Sequence, residues 1–174
     1  MSIAKGTRNS LRERDLFIEP DLTRADLSGT NLSEANLTGA DLTEASLTEA
    51  ALSRADLPST DLSEAHLVKA DLSEAELMSA DLESATPVRA NLFRADLMRA
   101  NLTGANLTGA DLTQADLSGA DLSGADLSRA DLREASLTQE EVEAATGDEN
   151  TRLPPDIKPP AHWGVKTEEQ AKED

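Results

Sequence analysis

The chain has 174 residues, a formal charge of −18 and no cysteine, so disulfides and cysteine chemistry are excluded. Only 2% of the residues are aromatic, which argues against a conventional globular core. The excess of acid disfavours direct binding to nucleic acid, because contacts with phosphate need basic side chains that this chain mostly lacks.

Residues 1–16 are predicted to form a polar leader. They include Lys5, Arg8, Arg12 and Arg14 and contain no apolar run long enough for a signal sequence or a membrane span. We therefore expect a cytoplasmic protein without membrane contact. Phe17 falls in phase with the repeats that follow and is predicted to plug the open end of the first coil.

The phrase Ala-Asp/Asn-Leu-x-x repeats from Pro20 to Gln139 without insertion or deletion. Every fifth residue from Leu22 to Leu137 is leucine except Pro87. On an α-helix, residues five apart are separated by about 140°, so the leucines would form no single buried stripe. A strand fits Ala-x-Leu but not the two polar residues that follow. The period therefore predicts a solenoid in which each pentad contributes three extended residues and a polar corner.

The run ADLSGADLSGADLSRADL, which ends at Leu132, resembles the pentapeptide-repeat family. The resemblance implies an all-β solenoid, a right-handed quadrilateral parallel β-helix with four pentads in each 20-residue coil. We expect residues 17–139 to make about six such coils. At about 4.8 Å per coil, the rod would be roughly 29 Å long. Leu and Ala would point inward, and the Asp or Asn between them and both corner residues would point outward.

Residues twenty apart would stack in columns on the outer faces of the rod. One column consists of Asp21, Asp41, Asp61, Asp81, Asn101 and Asp121. A ladder of carboxylates suits a hard cation. The favoured interpretation is a solvated face of hydrogen-bonded turn residues, because neutral Asn recurs in the same slot. We predict no metal site and no cofactor.

A zone between residues 66 and 100 departs from the Ser/Thr and Gly/Glu exterior. We call it the collar, and its residues are Val68, Lys69, Met78, Val88, Arg89, Phe93, Arg94, Met98 and Arg99. Met, Phe and Arg are enriched at protein interfaces, although single apolar residues are ordinary on any surface. The collar is our candidate surface for a protein partner or for a second copy. Pro87 lies within this zone and cannot donate to a neighbouring coil.

The repeat pattern stops after Leu137. Thr138 to Glu141 match a capping box, which predicts a helix from Gln139 to Ala145 that ends at Gly147. The Pro-rich segment that follows, to Trp163, is predicted to lack regular structure and resembles the C-terminal segment of many bacterial pentapeptide proteins. Residues 140–163 would cap the last coil, and residues 164–174 would be a charged, disordered tail. The side chains expected to cover the coil are Val142, Leu153, Ile157 and Trp163.

No catalytic set can be assembled, since His66 and His162 are the only histidines and neither has a ligand spacing. We expect no enzyme and favour a structural, protein-binding module. The family resemblance implies an alternative, because quinolone-resistance members mimic DNA and bind DNA gyrase. The net charge of −13 over residues 20–139 is compatible with this alternative. The shortness of the rod and the three arginines of the collar count against it.

Overall fold

The computed structural model describes residues 20–164. The predicted leader, the predicted Phe17 plug and the predicted tail beyond Gly164 lie outside these residues. Two short helices are present in the described range, α1 at Gln139–Glu143 and a 3-10 helix at Ala161–Trp163.

The sides of the rod are built from single-residue parallel bridges. Every bridge between Asp21 and Ser136 joins residues twenty apart, so four pentads complete one coil, as the resemblance implied. Each side donates in both directions along the rod: the amide of Leu72 bonds to Asn91 O at 2.7 Å, and the amide of Asn91 bonds to Ala70 O at 2.9 Å. The backbone groups of neighbouring coils therefore satisfy each other.

Leucine and alanine fill the interior of the coils. Leu42, Leu72 and Leu102 are fully buried, and the alanines between them are buried as well. Each buried leucine contributes roughly 1.5 to 3 kcal/mol. Thr60, which occupies an alanine slot, is also fully buried, and its hydroxyl donates to Leu37 O at 2.8 Å. This hydrogen bond explains how a polar residue is accommodated at an inward position.

Each corner is a tight turn closed by a bond such as Ala75 N to Leu72 O, at 3.1 Å. The second corner residue has a positive φ in all 23 corners from residue 24 to residue 134. Seventeen of these residues are not glycine, and they include Glu64 and Arg94. A positive φ costs an ordinary L-residue about 1 to 2 kcal/mol. The corner amides offset this cost by bonding to the next coil, as Glu74 N does to Phe93 O at 2.8 Å.

Pro87 is buried in its leucine slot and leaves a local gap in the hydrogen-bond ladder. Among the bridges of residues 20–164, those expected at Thr86 are missing. The bond from Leu67 N to Thr86 O stretches to 3.3 Å, whereas Leu72 N to Asn91 O measures 2.7 Å. The lack of an amide at Pro87 predicts a local bend or a missing bond, and the structure has the missing bond. The coil continues, because Asn106 N still bonds to Ala85 O at 2.9 Å.

The helix after the repeats is shorter than predicted. The capping box is confirmed, with Thr138 Oγ1 accepting from Glu141 N and Glu141 accepting from Thr138 N. The helix ends at Glu143 with Ala144 as its C-cap, so the prediction that it reaches Ala145 and stops at Gly147 is wrong. Gly147 has a different role: a Cβ there would lie 2.6 Å from Trp163 Cε3. The close approach of this indole leaves no room for a side chain.

The segment after α1 is more regular than predicted. Thr146 bridges to Asp126 and Arg152 bridges to Asp131, so the chain extends the ladder on two sides of the rod. The second bridge spans 21 residues, one more than in the repeats. Val142 and Trp163 are buried in the same core cluster as the leucines, and Leu153 and Ile157 pack against it. Trp163 Nε1 donates to Ala145 O at 2.9 Å.

Candidate protein-interaction surface

The corners of successive coils stack into four edges along the rod, numbered here in chain order from the corner at residues 23 and 24. Edge 2 carries Val68, Lys69, Val88 and Arg89 of the collar; edge 3 carries Phe93 and Arg94; edge 4 carries Met78, Met98 and Arg99. Backbone bonds place the stacked corners in neighbouring coils, with Lys69 N to Val88 O and Ser79 N to Met98 O both at 2.9 Å. The collar residues therefore lie on three edges, which border two flat sides of the rod.

The apolar side chains of the collar are accessible in the described chain. Met78 is 40% exposed, whereas Val68, Val88, Phe93 and Met98 are half-buried. The guanidinium of Arg94 lies 5.0 Å from the centroid of the Phe93 ring, a cation–π arrangement. Apolar and cationic groups thus share this part of the surface.

The outward Asp and Asn side chains are bound to the backbone. Seventeen of them, from Asp21 to Asp131, accept a hydrogen bond from the amide two residues later. The amide of Thr43 is the main cause that lowers the pKa of Asp41 below its usual value. The interpretation as hydrogen-bonded turn residues is confirmed. Within residues 20–164, no group of His, Asp and Glu is arranged to hold a metal ion.

Charged residues along the edges pair with partners one coil away. Arg24 and Glu44 are 2.6 Å apart, Lys69 and Glu49 are 3.0 Å apart, and Arg54 and Glu74 are 3.1 Å apart. These groups are exposed, so each pair contributes little to the stability of the fold. The pairs nevertheless neutralise the bases locally.

Within residues 20–164, three arginines lack a carboxylate partner. Of the eight bases in residues 20–139, five have a carboxylate within 4.0 Å among the described residues. The other three are Arg89, Arg94 and Arg99, at three successive corners of one coil. Sequence reasoning selected these residues by type but missed that they are unpaired. Writing the sequence in rows of twenty would have revealed it for Arg89 and Arg99, but not for Arg94, which stacks next to Glu74.

The neighbours of these arginines explain why they are unpaired. Edge 2 places Arg89 between Lys69 and Gly109, and edge 4 places Arg99 between Ser79 and Gly119. Arg94 Nε donates to the neutral amide oxygen of Gln114, at 2.6 Å. Arg94 also stacks next to Glu74, but that carboxylate pairs with Arg54 at 3.1 Å. Arg89 and Arg99 have no carboxylate in either neighbouring corner of their edges.

Acidity is distributed unevenly around the rod. The outward slots of the first side hold five aspartates and one asparagine, from Asp21 to Asp121. The six slots of the second side, from Asp26 to Asp126, hold Ser, His, Thr and Asn between two terminal aspartates. His66 is exposed there, with Nδ1 3.4 Å from Thr86 Oγ1. The rod is therefore not a uniform polyanion.

An open cleft of about 520 Å³ lies near the C-terminal end of the rod. Arg129, Asp131, Asn150 and Arg152 line it. Asp131 binds Arg152 at 3.2 Å and also Arg133, whose guanidinium is the main cause that lowers the pKa of this carboxyl. Because Asp131 and Asp148 neutralise its arginines, this cleft is a weaker candidate than the collar.

Comparison with known proteins identifies the family. The family model for pentapeptide repeats matches eight copies in residues 21–57, 59–86, 90–129 and 100–139. The chain belongs to the pentapeptide repeat family. No curated protein sequence matches it. None of the helices in residues 20–164 is long and apolar enough to cross a membrane.

Solved structures of this family resemble the chain. HetL, a pentapeptide repeat protein involved in heterocyst differentiation regulation in the cyanobacterium Nostoc sp. strain PCC 7120, is 35% identical over 79% of this chain and 71% of its own, with a TM-score of 0.53. Rfr23 of the cyanobacterium Cyanothece 51142 is 38% identical over 62% and 63%, with a TM-score of 0.41. QnrB1, a plasmid-mediated fluoroquinolone resistance protein, is 21% identical over 88% and 90%, with a TM-score of 0.47.

Proposed function

We propose that this pentapeptide repeat protein is a non-enzymatic module that binds a protein partner through the collar. The rod would be a right-handed quadrilateral β-helix of about six coils in residues 17–139, capped by residues 140–163. One observation carries the proposal. Apolar side chains replace the usual Ser or Thr at three edges of neighbouring coils, and the same zone holds the three unpaired arginines. The polar leader, the charged tail and a cytoplasmic location stay predictions.

The composition of the collar supports a protein contact. Met, Phe and Arg are favoured at interfaces, whereas Ser and Glu, which dominate the other corners, are depleted there. Apart from the gap at Pro87, the backbone of the collar is hydrogen-bonded to the coils on both sides, so little order has to be gained on binding. A second copy of the chain is the other protein that this surface could contact.

The test removes the two apolar anchors without touching the interior. We expect Phe93→Ser with Met98→Ser to abolish capture of a partner from the native host, or self-association measured by light scattering. Ser123→Ala with Ser128→Ala is the matched control, because these first-corner residues lie outside the collar. A captured protein supports the proposal only if its purified form binds the wild type and the control but not the double variant. Equal binding by all three would overturn the proposal.

A gyrase-binding DNA mimic is the second candidate. The column of five aspartates on the first side favours it, since such a side could face a basic DNA-binding groove. The second side and the collar interrupt the acidic surface of the rod, whereas the negative charge of DNA is continuous. A supercoiling assay with purified gyrase decides. Absence of both inhibition and protection at about micromolar rod would remove this candidate, because steered electrostatic binding should be measurable at that concentration.

A further inference from the structure

We infer that the collar binds an acidic segment of another protein, whose carboxylates pair with Arg89, Arg94 and Arg99 beside an apolar anchor. This inference rests on the proposed function and names the chemistry of the partner. It follows from a contrast within the rod, since these are the three repeat-region bases without a carboxylate within 4.0 Å among the described residues.

Glycines leave two of the three guanidinium groups open. A Cβ at Gly109 would lie 3.4 Å from Arg89 Cγ, and a Cβ at Gly119 would lie 3.6 Å from Arg99 Cγ. The aliphatic stems of these arginines therefore lie against bare backbone, at positions where Arg24 and Arg54 find a glutamate one coil further on. Carboxylates are abundant elsewhere on this rod, so unpaired arginines are unusual for it.

Carboxylates are the natural ligands for these groups. A guanidinium presents a planar fork of donors that binds a carboxylate through two hydrogen bonds. Arg94 is already positioned, because its guanidinium lies over the Phe93 ring and its Nε is held by Gln114. Ion pairs formed beside Val88, Phe93 and Met98 would be partly shielded from water, and such pairs are stronger than exposed ones.

The charge of the rod limits the partner to a segment with a few well-placed acids. Charges further apart than about 8 Å are screened at physiological salt, so the nearest guanidinium groups dominate a local contact. A long polyanion such as a nucleic acid would also meet Asp96, Glu76 and the acidic columns. The apolar corners add a preference for aromatic or aliphatic anchors, which a protein segment supplies.

The spacing sets the size of the contact. Five residues separate neighbouring arginines along the coil, so their Cα atoms lie within about 17 Å of each other. Because the three corners lie on edges 2, 3 and 4, a partner that reaches all of them must cover two flat sides. We therefore expect the contributions of Arg89 and Arg99 to be separable, with Arg94 contributing to both halves of the contact.

The experiment uses a random 12-residue phage-displayed peptide library on the full chain. We expect selected peptides to be enriched in Asp and Glu next to aromatic or aliphatic residues. The best peptide, labelled and measured by fluorescence anisotropy, should bind the Arg89→Gln, Arg94→Gln, Arg99→Gln variant at least about tenfold more weakly than the wild type. Replacing its acids by Gln should have a similar effect.

Two further variants make the result specific. Arg24→Gln, Arg54→Gln, Arg129→Gln removes the same charge from paired arginines and should leave peptide binding within about twofold. Gly109→Glu with Gly119→Glu supplies the carboxylates that the rod lacks, so it should weaken binding while all three arginines remain. The corners tolerate glutamate at a positive φ, as Glu64 and Glu74 show.

Several outcomes would overturn the inference. Selection of neutral or basic peptides, no selection at all, or equal binding by the arginine variant would each do so. A dimer of the full chain that dissociates in the arginine variant would show that the occupant is a second copy. If Phe93→Ser with Met98→Ser abolishes partner binding while the arginine variant retains it, the proposed function stands and the acidic partner is wrong.

Discussion

The inward columns and the outward edges of the rod belong to the same pentads but differ in what they tolerate. Inward, leucine fills every fifth position except Pro87, and replacements at the alanine slots are limited to Thr30 and Thr60. Outward, the first corner accepts Ser, Thr, Pro, Val, Met, Phe, Glu and Arg. The difference teaches that the interior carries the stability, while the edges can change chemistry without changing the fold.

The largest effect should come from opening the interior. Leu72→Ala should lower the free energy of unfolding by about 2 to 5 kcal/mol, because the fully buried side chain leaves a cavity between neighbouring coils. The free energy of unfolding is measured by urea denaturation, with circular dichroism as the signal. Phe93→Ser, on an edge, should cost about 1 kcal/mol or less. Similar losses for the two variants would erase the distinction between columns and edges.

Repairing the one interrupted column should stabilise the rod. Pro87→Leu supplies an amide that can bond to Asn106 O and adds a buried methylene, against a smaller loss from the freer unfolded chain. We expect a gain of about 1 kcal/mol in the same denaturation experiment. A destabilised Pro87→Leu variant would mean that the surrounding coil is adapted to proline.

A matched pair of glycine substitutions tests the corners. Glu64 has a positive φ, so Glu64→Gly relieves strain and should raise stability by about 0.5 kcal/mol after the entropy of the unfolded chain is counted. Glu83 occupies the first corner position, outside the positive-φ set, and Glu83→Gly should lower stability by about 0.5 to 1 kcal/mol. Equal changes would show that the left-handed corners carry no strain.

The smallest effect concerns an outward carboxylate. The pKa of Asp131 is lowered in the folded chain, chiefly by Arg133, so its contribution is present above the ordinary value of 3.8 and is lost as the pH falls through the folded pKa. When the pH is lowered from about 5 to about 2, the free energy of unfolding should fall less for Asp131→Asn than for the wild type, as measured by urea denaturation at each pH. Protonation of the other carboxylates also relieves the repulsion among them. This effect is nearly the same in both proteins, so it cancels when their stabilities are compared. Parallel curves for the two proteins would contradict this linkage.

The interior was predictable because its signal is local: one leucine every five residues excludes a helix stripe and a flat strand. The positive φ of the corners was not predictable. Residue types such as Glu64 and Arg94 do not indicate it, and glycine occupies only six of the 23 corners. The end of α1 was missed for a tertiary reason. Thr146 is drawn into a bridge with Asp126, so the chain leaves the helix before Gly147. Whether Arg89, Arg94 and Arg99 are paired depends on the residues twenty positions away, which a local pattern does not show.

The bridge spacing of twenty residues has a consequence for how such a chain can lengthen. Duplicating a whole coil upstream of Asp81 would extend the rod and leave every later side chain on its original side of the rod. Duplicating a single pentad would keep the leucine columns intact but turn everything downstream by a quarter revolution. Insertion or deletion of one pentad therefore changes which side of the rod the downstream outer residues occupy, relative to the upstream ones. No point substitution is needed for this change.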